Sequence, residues 1–171
     1  MLGKPLLGGQ VYDALRTLDY LGSRADVRGG VVVVGDGPHG VAGLYAAALD
    51  DRVRSVALRQ TVTDYRSLAV AERYNQPFGI YAYDLLRNFD LPDLAGIVGP
   101  RSVLLLDPAT PLGEPAGPAV EDLYKDLPHV RVQTTVDRDA VQVLAAWIRG
   151  HESGLKPSRN ASIRSSARID R

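Results

Sequence analysis

The hydrophobic positions of this chain form two kinds of pattern that follow one another. Short, uninterrupted apolar runs are typical of strands that are buried on both faces. The first is a run of four consecutive valines at 31–34, whose β-branched side chains suit a pleated strand. Three later segments, of which only 103–106 forms an uninterrupted apolar run, predict further strands at about 53–58, 102–107 and 130–135.

The segments around these runs predict helices, and those at 11–21 and 139–149 have the 3.6-residue period of amphipathic helices. A first helix is predicted at 11–21 and ends at Gly22, and the others are predicted at 41–49, 94–98, 121–127 and 139–149. Strands that alternate with helices predict an α/β fold. We expect one domain at 1–152, a three-layer sandwich in which helices cover a small, mostly parallel sheet of about four strands.

Two segments depart from this alternation. Residues 61–93 hold most of the aromatic side chains. We predict short helices that pack on one face of the sheet, and the alternative is a cap or an active-site wall. Residues 153–171 are rich in Ser and Arg without periodicity, and they predict a disordered basic tail.

The four-valine strand needs a pairing partner along each of its two edges if it lies inside a sheet. Its composition suits a sheet interior, yet it is the first strand of the chain. An exposed apolar edge pairs readily with another strand. We therefore expect either that the strand order places it centrally, or that a second copy in a homodimer or a missing N-terminal half covers it.

Composition narrows the classes of function. The 20 basic and 20 acidic residues give no net charge, which argues against nucleic acid and membrane partners. The absence of cysteine excludes disulfides and thiolate metal sites, and the three histidines show no ligand spacing. No signal-peptide pattern or membrane-length apolar run is present in the sequence. We expect a soluble, cytoplasmic protein without metal or cofactor.

A glycine-rich turn follows the valine strand. Gly35, Gly37 and Gly40 fit the pattern G-x-G-x-x-G between a strand and a helix, which is the context of a dinucleotide-binding fingerprint. In this interpretation a pyrophosphate binds at the helix N-terminus. The acidic ribose ligand is absent, since the next strand ends at Arg59, a residue suited to a 2′-phosphate. Nucleotide or dinucleotide binding is therefore one hypothesis.

The same turn also fits the strand-to-helix elbow G-x-S-x-G, with Gly37 in the place of the serine and His39 in that of the second glycine. The flanking sequence resembles the α/β-hydrolase superfamily, in particular the C-terminal half of acetyl xylan esterase-type carbohydrate esterases. The resemblance extends over about residues 8–150. It rests on the order of the segments 11–21, 31–43, 46–53, 65–68, 74–75, 77–78, 89–94 and 100–106.

This resemblance implies esterase ancestry and a catalytic serine, acid and histidine in that order. Gly37 stands at the serine position. Thr110 best matches the acid position, with Asp107 close to it. His129 precedes the fourth predicted strand and His151 follows the last helix, so neither matches the histidine. The resemblance therefore implies a non-catalytic domain, or a fragment without the N-terminal half that carries the oxyanion-hole loop.

Other residues of the turn offer alternatives. Asp36 could act as a carboxylate nucleophile, or pair with His39 as acid and base. The simpler interpretation is that Asp36 hydrogen-bonds to turn amides and that His39 is exposed beside a helix start. Without any catalysis, the turn of Gly35, Gly37 and Gly40 could bind a small anion or a carbohydrate. A structural or partner-binding module is the remaining hypothesis.

Overall fold

Four parallel strands form one sheet in the order β1-β2-β3-β4. The computed structural model describes residues 4–135 and 139–152, so the predicted tail lies outside the described residues. The strands are β1 (Val31–Asp36), β2 (Val53–Arg59), β3 (Ser102–Leu106) and β4 (Val130–Gln133). The helices are α1 (Leu6–Ser23), α2 (Pro38–Leu49), α3 (Tyr65–Val70), α4 (Leu91–Val98), α5 (Ala119–Tyr124) and α6 (Ala140–Glu152), with 3₁₀ turns at Phe78–Ile80 and Leu85–Arg87.

Helices cover both faces of this sheet. Helices α1, α2, α4 and α5 contribute to the larger hydrophobic core, against strand residues such as Val56 and Leu105. Helix α6 packs on the opposite face, where Trp147 joins a smaller cluster around Leu104 and Leu106. The predicted α/β sandwich with a small parallel sheet is therefore confirmed. None of the described helices is long and apolar enough to cross a lipid bilayer.

Helices α1, α2, α4 and α5 begin earlier than the sequence pattern predicts. Helix α1 starts five residues before its predicted start, and it includes Gly8 and Gly9. Helix α2 starts at Pro38 rather than at 41. Proline suits this first position because its φ is already helical and its missing N–H has no intrahelical partner to lose. The predicted position of the helix N-terminus near Val41 is therefore wrong by one turn.

The segment 61–93 folds as short helices packed against the core, as predicted. Asp90 holds two of these helices together. Its carboxylate accepts hydrogen bonds from the backbone N–H groups of Tyr65 (2.6 Å) and Arg66 (3.1 Å) at the start of α3. It also accepts one from the N–H of Leu91 (2.7 Å) at the start of α4. One side chain therefore caps two helices.

Strand β1 lies at an edge of the sheet. Its inner neighbour is β2, and no strand among the described residues pairs with its outer side. Val33 packs against helix α2, whereas Val34 points to the other face and is 44% exposed. Of the two alternatives, a central position is therefore excluded within the described part of the chain, and the edge remains open there.

Candidate functional site

The turn between β1 and α2 is a sharp strand-to-helix elbow. Strand β1 ends at Asp36, helix α2 begins at Pro38, and Gly37 alone connects them with φ 52° and ψ −126°. L-residues rarely adopt a positive φ, and glycine does so without steric cost. A nucleophile elbow holds its serine at such a strained point. A Cβ on Gly37 would meet no atom within 4 Å, so the space before this apex is open.

Gly35 and Gly40 allow the strand and the helix to approach closely. A Cβ on Gly35 would lie 2.5 Å from the Cα of Gly40 and 2.7 Å from the carbonyl oxygen of His39. A Cβ on Gly40 would overlap the side chain of Thr61, whose Oγ1 donates to the carbonyl oxygen of Gly37 at 3.1 Å. Close contact with backbone at Gly35, and with the Thr61 side chain at Gly40, therefore accounts for both glycines without a bound phosphate.

The backbone N–H groups of the turn are largely occupied. The N–H of Gly37 donates to the carbonyl oxygen of Arg59 (2.8 Å), and that of Gly40 donates to the carbonyl oxygen of Gly37 (3.1 Å). Pro38 has no N–H. From 37 to 40, His39 alone can offer its N–H to an anion.

Pro38 also bears on catalysis. In a nucleophile elbow, the N–H of the residue after the nucleophile is one of the oxyanion-hole donors. The residue after the apex is Pro38 here, which has no N–H to offer. The sequence carries this signal as a proline directly after the apex glycine.

Asp36 and His39 flank the apex without meeting. The Oδ1 of Asp36 lies 3.4 Å from Nη1 of Arg59, its cross-strand neighbour on β2. Both Asp36 and His39 are exposed. Within the described residues, no hydrogen bond or ion pair joins Asp36 to His39. The carboxylate faces a guanidinium, in place of the turn amides that the simpler interpretation expected.

The two residues near the implied acid position are held by other partners. Asp107 accepts hydrogen bonds from both the backbone N–H and the Oγ1 of Thr135, the latter at 2.7 Å. These bonds join the ends of β3 and β4. Thr110 exchanges backbone hydrogen bonds within its own loop, where its N–H donates to the carbonyl oxygen of Glu114 at 2.7 Å.

The two remaining histidines lie at structural positions. His129 Nε2 is 2.8 Å from the carbonyl oxygen of Ala95, which joins the start of β4 to α4. His151 Nδ1 is 2.7 Å from the carbonyl oxygen of Trp147, and the two rings are in contact on α6. Both rings contact backbone carbonyl oxygens. Neither His129 nor His151 therefore pairs with the predicted site residues Asp36, His39 and Asp107 in the described part of the chain.

Three neighbouring strands are each followed directly by a residue with a positive φ. These are Gly37 after β1, Gln60 after β2 and Asp107 after β3, with φ of 52°, 49° and 49°. Each donates its N–H to the carbonyl oxygen of the last residue of the next strand, at 2.8–3.0 Å. Gln60 could not be singled out from sequence, because glutamine has no preference for this conformation. A cavity of about 120 Å³ opens here, lined by Arg59, Gln60, Asp107, Ala109, Gly113, Pro115, Thr134, Thr135 and Ala140.

A larger cavity lies elsewhere. It has a volume of about 480 Å³, and its lining comes from the segment 65–87, with Tyr65, Tyr74 and Tyr81 among the residues. No residue of the turn at 35–40 contributes to it. Among the described residues there is no cluster of His, Asp and Glu side chains that could hold a metal ion.

Comparison of sequences gives a partial match. No family model matches this chain. It is 29% identical over 109 residues to the Bacillus subtilis (strain 168) protein named "Putative hydrolase YtaP", a match that covers 62% of this chain and 36% of YtaP. The chain thus matches about a third of the length of this relative.

Comparison of structures finds esterases. A family 15 glucuronoyl esterase from Caldicellulosiruptor kristjansonii has a TM-score of 0.59 at 18% identity, with 96% of this chain and 54% of the esterase covered. An esterase domain from Rhodothermus marinus has a TM-score of 0.55 at 19% identity, with 87% and 69% covered. An acetyl xylan esterase from Paenibacillus sp. R4 has a TM-score of 0.54 at 19% identity, with 84% and 51% covered. This chain has the α/β-hydrolase fold of these esterases, over about half to two thirds of their length.

Proposed function

We propose that this chain is a non-catalytic, α/β-hydrolase-like module that retains the elbow of an esterase without its reaction. The observation that carries the proposal is that Gly37 and Pro38 stand next to each other at the apex of the elbow. Gly37 has the backbone of a nucleophile elbow but no side chain, and Pro38 cannot supply the oxyanion N–H. The loss affects both the attacking group and the group that stabilises the resulting charge.

The rate losses known for such missing groups are large enough to abolish turnover rather than to slow it. Removal of the nucleophile from a triad enzyme costs about six orders of magnitude in kcat. Removal of one oxyanion-hole donor costs about two to three orders on its own. The two effects do not add fully, because the groups act as a unit, but either one removes a useful rate. Asp36 does not compensate, since it lies one position before the apex and faces Arg59.

Binding without turnover is the function that this elbow can still perform. The space before Gly37 is open, and the guanidinium of Arg59 lies beside the turn. His39 contributes a backbone N–H at the N-terminus of α2, where the helix dipole favours a negative charge. We therefore propose a small anion or an acidic carbohydrate as the ligand, in keeping with the carbohydrate esters named for the matched esterases.

Hydrolysis of p-nitrophenyl acetate tests the absence of catalysis. We expect the purified chain to leave the uncatalysed rate unchanged. A saturable rate that Asp36→Asn or His39→Gln abolishes would instead identify a rescued active site. Asp93→Asn, an exposed carboxylate on α4, is a matched control for loss of a negative charge.

The ligand is tested separately, by thermal unfolding. We expect acetate or glucuronate to raise the melting temperature above that in sodium chloride of equal ionic strength, and Arg59→Gln to remove the increase. NADPH tests the alternative of a dinucleotide at the same turn, which the free N–H of His39 and the guanidinium of Arg59 favour. If NADPH raises the melting temperature and neither acetate nor glucuronate does, the dinucleotide hypothesis replaces the carbohydrate hypothesis.

A further inference from the structure

The two edges of the sheet differ in their protection against pairing. Edge strands that stay unpaired are usually short or carry charged side chains. Strand β4 has four residues, and its exposed Arg131 is such a charge. Strand β1 has six residues, begins with four valines and carries no charge before Asp36. Of the two edges, β1 is the one suited to pairing with another strand.

The backbone groups that β1 offers can be read from its pairing with β2. The N–H of Val31 donates to the carbonyl oxygen of Arg52, and that of Gly37 to the carbonyl oxygen of Arg59, both at 2.8 Å. Backbone groups alternate in direction along a strand, so the odd-numbered residues face β2. Val32, Val34 and Asp36 therefore direct their N–H and C=O groups away from the sheet.

We propose that two copies of this chain pair through β1, antiparallel to one another, about a twofold axis at Val32. This inference rests on the proposed function, in which the module acts without a catalytic site, and it identifies the partner as a second copy. Val32 then faces Val32 of the other copy, and Val34 faces Gly30. The product is a continuous sheet of eight strands, four from each copy.

Charge complementarity selects this register. Counted along the chain, the axis at Val32 pairs position 28 of each copy with Asp36 of the other, although the strand itself begins only at Val31. Both residues are exposed, and the long Arg28 side chain can span the turn at Gly29, whose φ is 86°. The contact of Asp36 with Arg59 is long, at 3.4 Å, and involves a single nitrogen, so Asp36 can accept a second cation. Twofold symmetry repeats each contact, which is how one self-complementary patch closes a dimer.

The pairing also covers apolar surface. Val34 is 44% exposed in the single chain, although its neighbours on the same sheet face, Ala57 and Leu104, are fully buried. In this register the two Val32 side chains face each other directly at about 5 Å. Val34 faces Gly30 and lies diagonal to Val32 of the other copy, about 7–8 Å away, so the valine side chains of the two copies would still shield each other.

Cysteine cross-linking tests the register, because the chain has no cysteine of its own. In the proposed dimer the two Val32 residues form a hydrogen-bonded pair with Cα atoms about 5.5 Å apart, which a disulfide can bridge. The two Val34 residues are offset by four positions along the strands, or about 14 Å, which a disulfide cannot bridge.

We expect Val32→Cys to form a disulfide-linked dimer under mild oxidation at least about tenfold faster than Val34→Cys. Val34 is the more exposed of the two, so random collision would give the opposite order. Faster or equal cross-linking of Val34→Cys would overturn the register.

Light scattering tests the dimer itself. We expect the unmodified chain to be a dimer, and Asp36→Arg to weaken it by about tenfold or more, because two attractive contacts become repulsive. The double variant Arg28→Asp with Asp36→Arg restores both contacts and should restore the dimer. A monomeric unmodified chain at its highest soluble concentration would refute the proposal. A monomer without esterase activity would refute the dimer and leave the proposed function in place. A dimer with esterase activity would refute the proposed function and leave the dimer in place.

Discussion

Alanine at Gly35 and at Gly37 should destabilise the fold by different amounts and for different reasons. The two sites lie two residues apart in the same elbow, so each variant is the control for the other. At Gly37 the new Cβ would meet no atom within 4 Å, but the backbone has φ 52°. An L-residue in such a conformation costs about 1–3 kcal/mol. Alanine also restricts the unfolded chain, which offsets about 0.4–1 kcal/mol, and we expect a net loss of about 1–2 kcal/mol.

At Gly35 the cost is steric. The new Cβ would lie 2.5 Å from the Cα of Gly40, and 2.7 Å from both the backbone nitrogen of Gly40 and the carbonyl oxygen of His39. Carbon atoms in favourable contact are about 3.5–4.0 Å apart, so the first turn of α2 would have to move by about 1 Å. Overpacking costs about 1–3 kcal/mol where side chains can adjust, and we expect about 3 kcal/mol or more because these atoms are backbone.

Urea unfolding followed by far-ultraviolet circular dichroism measures both free energies of unfolding. We expect the midpoint of Gly35→Ala to fall clearly below that of Gly37→Ala, with similar slopes. Equal midpoints, or a lower midpoint for Gly37→Ala, would show that strand and helix are not in contact at Gly35 and would refute the elbow geometry.

Three further predictions concern stability. Asp90→Ala should lower the free energy of unfolding by about 2–3 kcal/mol, because one carboxylate caps α3 and α4, whereas Asp93→Ala should cost less than half as much in the same urea titration. Gly9→Ala should raise it by about 0.5–1 kcal/mol, since Gly9 lies within α1 and a Cβ there meets no atom within 4 Å; an unchanged or lower melting temperature would contradict this. Asp50→Asn should destabilise at neutral pH and not in strong acid. Hydrogen bonds from Arg52 lower the pKa of Asp50 in the native state, so its stabilisation is complete above the unfolded pKa of about 3.9 and is lost as the pH falls through the native value. A difference between Asp50→Asn and the unmodified chain that persists in strong acid would contradict it.

The order of strands and helices could be predicted from sequence because it depends on local patterns. The valine run at 31–34 forms a strand in almost any tertiary context that buries it. The helix starts were less predictable, since Pro38 and Asp90 fix them through a preset φ and through capping, and neither contributes to hydrophobic periodicity. The edge position of β1 depends on which strands pair, which no local pattern encodes.

The candidate site was predictable in its location and only partly in its contents. The glycines at 35, 37 and 40 indicate a tight turn in any interpretation, but only the structure shows that a Cβ at 35 would strike backbone and one at 37 would not. The same sequence therefore allowed a phosphate loop and an elbow until these contacts were known. Gln60 completes the row of strained strand ends, and it was missed because its conformation is imposed by the hydrogen bond to Leu106.

The most direct test of the central claim compares p-nitrophenyl acetate hydrolysis by the unmodified chain and by Gly37→Ser. The serine would stand at the apex, in the open space before Gly37. It would have neither the oxyanion N–H, because Pro38 follows it, nor a histidine at the end of β4. We predict that both proteins leave the uncatalysed rate unchanged. Saturable turnover by the unmodified chain would contradict the claim that this elbow has lost its chemistry.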